Sequence, residues 1–313
     1  MSVDRKKSMA VMMSARANVF YLQHAKVCQD GDRTVYWIRD GDTDRAFNIP
    51  EKNTAFVLLG KGTSITDAAA RKMAESGVSI GFCGSGGSPL FSSVSPVFLE
   101  PHSEYRPTEY MQSWVLLWID EAKRLSAAKY MLRERIRITN RAWKKSLPSV
   151  AIPEVMIAKF NDRIDSSQNV TELLSSEAEW AKGVYALLAK NFSISQFTRE
   201  EGKGASTSIA DNINGMIDHG NYIAYGYAAS VLNTLGISYA FPLLHGKTRR
   251  GALVFDVADL IKDAVVMPLA FNCGSSGIPD GEFRYQLIDL CWEFEVMDAL
   301  FETLKKITSG DFQ

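Results

Sequence analysis

A chain of 313 residues that is 46% hydrophobic can bury a substantial core and has room for about two domains, which excludes global disorder. Its 35 Lys and Arg against 36 Asp and Glu leave a formal net charge of -1, so any signal for a nucleic acid, membrane or acidic partner must be local. The four cysteines, Cys28, Cys83, Cys273 and Cys291, sit among apolar or small neighbours without CxxC spacing, which fits free thiols in a reduced, cytoplasmic compartment.

Along the chain, MSVDRKKSMAVMMSARAN reads as a lead-in, because Ser14 and Arg16 interrupt its short apolar stretch and no convincing cleavage site follows. From Val19 to Leu99, short β-rich runs (VFYLQHAKV, TVYWI, FVLLG) alternate with turn signals at Gln29-Asp30-Gly31 and Asp40-Gly41. Within them ITDAAARKMAES, 65–76, carries a Thr-led start and ends before Gly77, predicting one inserted helix. VSIGFC and SPLFSSV are further strand candidates. The glycine runs at 58–66 and 81–89 have neither P-loop nor GxGxxG order and are assigned to turns.

The two prolines of EPHSEYRPT, 100–108, mark the change from strand to helix periodicity. Apolar residues then recur every three or four positions over 110–144, 170–190, 209–235, 257–270 and 285–307, predicting helices. The expected architecture is α+β: a β-rich domain over 1–100, a linker over 101–109, and a helical domain over 110–313. No window reaches the roughly 18 apolar residues of a membrane span, so the chain is expected to be soluble.

The richest segment is PLLHGKTRRGALVFDVADLIKDAVV, which opens on His245. Asp256 and Asp259, three apart, share one helix face, and the repulsion between two such carboxylates is relieved by a divalent cation. An imidazole beside carboxylate oxygens suits manganese or magnesium. Taken alone, the pair also reads as ordinary helix-start carboxylates, and His245 as a satisfied histidine at the edge of a core. Lys247, Arg249 and Arg250 in the intervening loop suit a polyanionic substrate, or serve only as a solvated loop. In EAEWAKGVYALLAKNF, Glu177 shares part of a helix face with Trp180, Val184, Leu187 and Leu188 and can complete a cation site from a second helix, whereas Glu179 points elsewhere. The stretch 120–145 is rich in Lys and Arg, including Arg133, Arg137 and Arg141; it can follow a phosphate backbone or form a solvated basic face.

In order and spacing, RANVFYLQHAKV, LLGKGTSITDAAARKMAESGVSIGFCGSGGSPLF, SEYRPTEYMQSWV, EAEWAKGVYALLAK, INGMIDHGNYIAYGYAASVLNTLGI and LLHGKTRRGALVFDVADLIKD resemble the CRISPR-associated integrase of the spacer-acquisition module, the Cas-one family, and most closely its type I-F branch. The resemblance implies a Mg2+- or Mn2+-dependent DNA endonuclease and integrase, with Glu177 (eight residues before Tyr185), His245, Asp256 and Asp259 as metal ligands and catalytic residues. Its 3′-hydroxyl chemistry would insert short duplexes at a CRISPR repeat boundary. It further implies protospacer and repeat-leader DNA as partners, a homodimer joined through the β domains, and a second adaptation protein, in this branch commonly fused to the interference helicase-nuclease.

Overall fold

Alternating and continuous apolar runs in the first hundred residues give way to helical periodicity, and the chain divides accordingly. The computed structural model describes residues 18–40, 43–84, 97–99, 108–195, 197–200, 208–246 and 251–312. Of these, 18–84 and 97–99 form one compact unit and 108–312 a second. The expected linker, 101–109, lies outside the described residues up to 107, as does the lead-in through residue 17.

The first unit contains β1 (Asn18–Leu22), β2 (Ala25–Asp30), β3 (Arg33–Asp40), β4 (Thr43–Ile49), β5 (Thr54–Leu59), β6 (Ser64–Ile65), α1 (Asp67–Glu75), β7 (Ser79–Phe82) and β8 (Val97–Leu99). They form two sheets with strand orders β1-β5-β7-β8 and β4-β3-β2-β6. Strand β5, TAFVLL, is buried at every position and pairs in parallel with β1 and β7, which is why its sequence runs apolar without alternation. Strands β2 and β3 are antiparallel and pair Asp30 with Arg33, leaving a two-residue turn led by Gly31 at φ +57°, a value that favours glycine. The Thr66 hydroxyl caps α1 by accepting from the Ala69 amide, and Gly77 at φ +74° follows its end. Ala69 and Met73 bury against Val27, Val57 and Ile80. Of the glycine run 58–66 only 60–63 connect β5 to β6, its ends lying in those strands; that at 81–89 is described only to Gly84, and its Gly81 and Phe82 belong to β7 rather than to a turn, while the strand candidate SPLFSSV lies outside the described residues.

The second unit is helical: α2 (Glu109–Ile119), α3 (Glu121–Ser146), α4 (Glu154–Ser166), α5 (Val170–Asn191), α6 (Ile209–Thr234), α7 (Ala252–Ile261), a π-helical turn (Lys262–Val266), α8 (Met267–Ser275), α9 (Asp280–Glu293) and α10 (Val296–Ser309). Among the described residues no helix is long and apolar enough to cross a membrane. The periodicity predicts one helix over 110–144, but the chain breaks at Asp120, whose extended backbone lets its carboxylate cap α3 by accepting from the Ala122 and Lys123 amides. The segment 285–307 is likewise divided by Glu295 at φ +50°.

The centre of this unit is the run from α7 through α8, buried along almost its whole length and packed against α3 and α6. A helix apolar on every side belongs in an interior. Its charged residues are Asp256, Asp259, Lys262 and Asp263, and a charge in such surroundings persists only if it is paired or bound to a cation. Ahead of it, the indoles of Trp114 and Trp118 on α2 donate to the carbonyls of Phe241 (3.0 Å) and Pro242 (2.7 Å) and fix the chain that leads to His245.

Candidate metal centre

Asp256 lies in the second turn of α7 with 2% of its surface exposed. Its Oδ2 accepts from the backbone amides of Leu243 (2.6 Å) and Leu244 (3.0 Å), and its Oδ1 accepts from the His245 amide (3.0 Å) and lies 2.5 Å from His245 Nδ1. One carboxylate therefore clamps three consecutive residues of a loop onto a buried helix. It thereby accepts from a proton held at Nδ1 and leaves the lone pair of Nε2 free to bind a cation, the arrangement by which a carboxylate commonly orients a metal-ligating histidine.

Glu177 on α5, His245 on its clamped loop and Asp259 on α7 converge, each offering a ligand atom, with those atoms all within 4.8 Å of one another. Both carboxylates are anchored through one oxygen. Arg135 Nη1 donates to Glu177 Oε1 (2.6 Å), and Lys262 Nζ lies 2.6 Å from Asp259 Oδ1. Lys262 is itself held over the Tyr225 ring, 4.6 Å from its centroid. Among the described residues, hydrogen bonds thus leave Glu177 Oε2, Asp259 Oδ2 and His245 Nε2 uncommitted.

The electrostatics of the three differ. Burial pushes the Glu177 carboxyl above the usual range; Arg135 opposes this and Asp259 adds to it. For Asp259, burial works upward, but Lys262, Arg135 and His245 outweigh it and hold the carboxyl below its usual value. Burial works to lower the His245 pKa, but the Asp256 hydrogen bond and charge, with Asp259 and Glu177, outweigh it and raise the value. Two carboxylates and an imidazole, each braced on one side and open on the other, fit a divalent cation of the magnesium or manganese kind.

Of the four residues taken from the sequence, Glu177, His245 and Asp259 are brought together, and Asp256 is not in that set. Both of its oxygens are occupied by the loop, so it stands behind His245. Three members of the environment were hidden in the sequence: Arg135, Lys262 and Asp263. Arg135 is counted among the cations of 120–145, yet it is 3% exposed, and the signal for the other two is a Lys-Asp pair inside an otherwise apolar run. On α3, Arg133 pairs with Asp165, Arg137 with Glu134 and Arg141 with Glu295, their side chains 44%, 47% and 55% exposed. Glu179 faces away from the centre and pairs with Lys159 and Arg163. Lys247, Arg249 and Arg250 lie outside the described residues.

Residues 21–290 match the family described as CRISPR associated protein Cas1. A CRISPR-associated endonuclease Cas1 from Pectobacterium atrosepticum is 40% identical over 311 residues, covering 96% of this chain and 94% of its own. Among solved structures, a TtCas1-DNA complex aligns with a TM-score of 0.65 at 19% identity over 93% of this chain and 96% of that one. A casposase bound to integration product aligns with a TM-score of 0.63 at 15% identity, over 94% and 91%. With the family match spanning most of its length and such identity to a full-length relative, the chain belongs to the CRISPR associated protein Cas1 family.

Proposed function

We propose that the protein is a divalent-metal-dependent DNA endonuclease and integrase that inserts short duplexes, spacers, into a CRISPR array. The observation that carries this reading is the convergence of Glu177, His245 and Asp259, each half-buried, with ligand atoms within 4.8 Å of one another. Support comes from the relative named an endonuclease, and from structures of the same fold holding DNA and an integration product. Glu177, His245 and Asp259 would hold Mg2+ or Mn2+, with Asp256 setting the ring of His245. Bound there, the cation would offset charge that builds on the phosphoryl oxygens and on the leaving oxygen.

The chain's own groups supply the rest. Arg135 and Lys262 each fix one ligand carboxylate, Lys262 with Arg135 and His245 keeps Asp259 ionised, and the Asp256 carboxylate keeps the Nδ1 proton in place. Lys247, Arg249 and Arg250 bind backbone phosphates, and Arg133, Arg137 and Arg141, a stripe at four-residue spacing on α3, exchange their carboxylate partners for phosphates. Insertion is an exchange: a 3′-hydroxyl oxygen of the incoming duplex bonds to phosphorus as the P–O bond at the repeat boundary breaks, and the departing oxygen takes a proton to become a new 3′-hydroxyl. Phosphodiesters are conserved in number, so no ATP is required. With water as the nucleophile the same site cuts.

The wider assignments follow the family. Residues 1–100 form the dimerisation domain, 101–109 the linker and 110–313 the catalytic domain. The partners are protospacer and repeat-leader DNA and the second adaptation protein, fused in the type I-F branch to the interference helicase-nuclease, all in the cytoplasm. The test is transfer of a labelled duplex into a repeat-bearing plasmid with Mn2+ or Mg2+. Glu177→Gln, His245→Ala and Asp259→Asn should each abolish joining; parental rates in all three would end the proposal.

A further inference from the structure

Asp263 takes no part in the chemistry above, yet none of its surface is exposed. It lies in the π-helical turn that follows α7. In an unbroken α-helix it would stand one turn beyond Asp259 on the same face; the wide turn interrupts that register, and such turns are frequent at functional sites. Its carboxylate is gripped by the fork of Arg135, Nε to Oδ2 at 2.7 Å and Nη2 to Oδ1 at 2.9 Å. Trp180, three residues beyond Glu177 on α5, donates its indole N–H to Oδ2 (2.8 Å), and Trp143 on α3 donates to the Asp263 carbonyl (2.8 Å). The third donor of the same guanidinium, Nη1, goes to Glu177 Oε1.

This geometry has two consequences. A guanidinium is planar and rigid, so two bonds to Asp263 fix its plane and thereby fix the direction in which Nη1 holds Glu177. An arginine paired with Glu177 alone would also neutralise the carboxylate that a cation needs; here the arginine's charge is already balanced by Asp263. We propose that Arg135 and Asp263 are positioning residues that aim Glu177 at the cation while leaving its charge available, an inference that rests on the metal-centre reading above.

The test is Mn2+ titration of the full chain, with free Mn2+ followed by electron paramagnetic resonance. The paired change Arg135→Met with Asp263→Asn removes both buried charges together and leaves an amide oxygen for Trp180, so folding is preserved better than by either change alone. Loss of an orienting partner costs about 10- to 100-fold in metal affinity, and the paired variant should weaken Mn2+ binding by that order. In a chain already carrying Glu177→Gln the paired change should weaken binding no further, because the pair acts through Glu177. Should the paired variant not fold, Trp180→Phe keeps an aromatic ring and removes one bond to Asp263; it should weaken binding several-fold, again only while Glu177 is present. Folded variants with parental affinity, or losses that multiply with Glu177→Gln, would overturn the positioning role. A parent chain that binds no Mn2+ would instead sink the metal centre itself.

Discussion

Replacing Asp256 with alanine should destabilise the helical unit whether or not metal is present. Leu243 and Leu244 are 2% and 3% exposed, so water cannot readily take over their amides when the carboxylate is removed. A buried donor left without a partner costs about 1–3 kcal/mol, and breaking a buried charged interaction about 3–5 kcal/mol, so the change should cost about 4 kcal/mol. For a unit of this size each kcal/mol moves the melting temperature by about 2–4 °C, giving a fall of about 8–16 °C. The assay is calorimetric unfolding of the chain in chelator, with Asp256→Asn, which keeps one acceptor oxygen, falling between parent and Asp256→Ala. If Asp256→Ala melts within about 2 °C of the parent in chelator, and loses only an increment that Mn2+ confers, Asp256 is a ligand and the clamp argument is wrong.

Cation binding should follow pH through His245, since a ligand imidazole must be neutral. Its folded pKa is raised, so the stability it confers on the metal-free chain is complete below the unfolded value of about 6.5 and is lost as pH rises through the folded one. Mn2+ affinity should run the opposite way and climb through that window, and calorimetry in buffers of different ionisation heat should register proton release there; binding without it would count against His245 as ligand. Gly220→Ala on α6 should cost about 1–3 kcal/mol in denaturant unfolding, because the added Cβ would come 2.5 Å from Val266 Cγ1 in the π-helical turn and 3.2 Å from the Phe283 ring; unchanged stability would show that the turn yields. Replacing Arg133, Arg137 and Arg141 with alanine should lower the salt slope of duplex binding by about 0.9 for each phosphate that these side chains neutralise, and an unchanged slope would remove α3 from the DNA surface.

The α+β division and the helical character of the second unit were legible because apolar period changes near the proline-bearing segment and depends only on local spacing. Thr66 and Gly77 marked the ends of α1 through their own chemistry. The break at Asp120 was not legible, since the apolar run Trp114 to Ile119 continues the helical period up to the residue that caps the next helix. In the site, His245 and Asp259 stood out as polar groups bordering apolar runs, but the same pattern gave Asp256 an identical appearance. What separates them is the loop folded onto Asp256, held there by backbone amides that no side-chain pattern records. Arg135 was hidden for a different reason: on a helix with many cations, nothing local distinguishes the one turned inward to meet Asp263.

The most direct measurement is a crystal structure of the chain with Mn2+, located by its anomalous scattering. The cation should be found bonded to Glu177, His245 and Asp259, with the Asp256 carboxylate still on the amides of Leu243, Leu244 and His245. Mn2+ bound elsewhere, or liganded by Asp256 with Glu177 turned away, would contradict the centre described here.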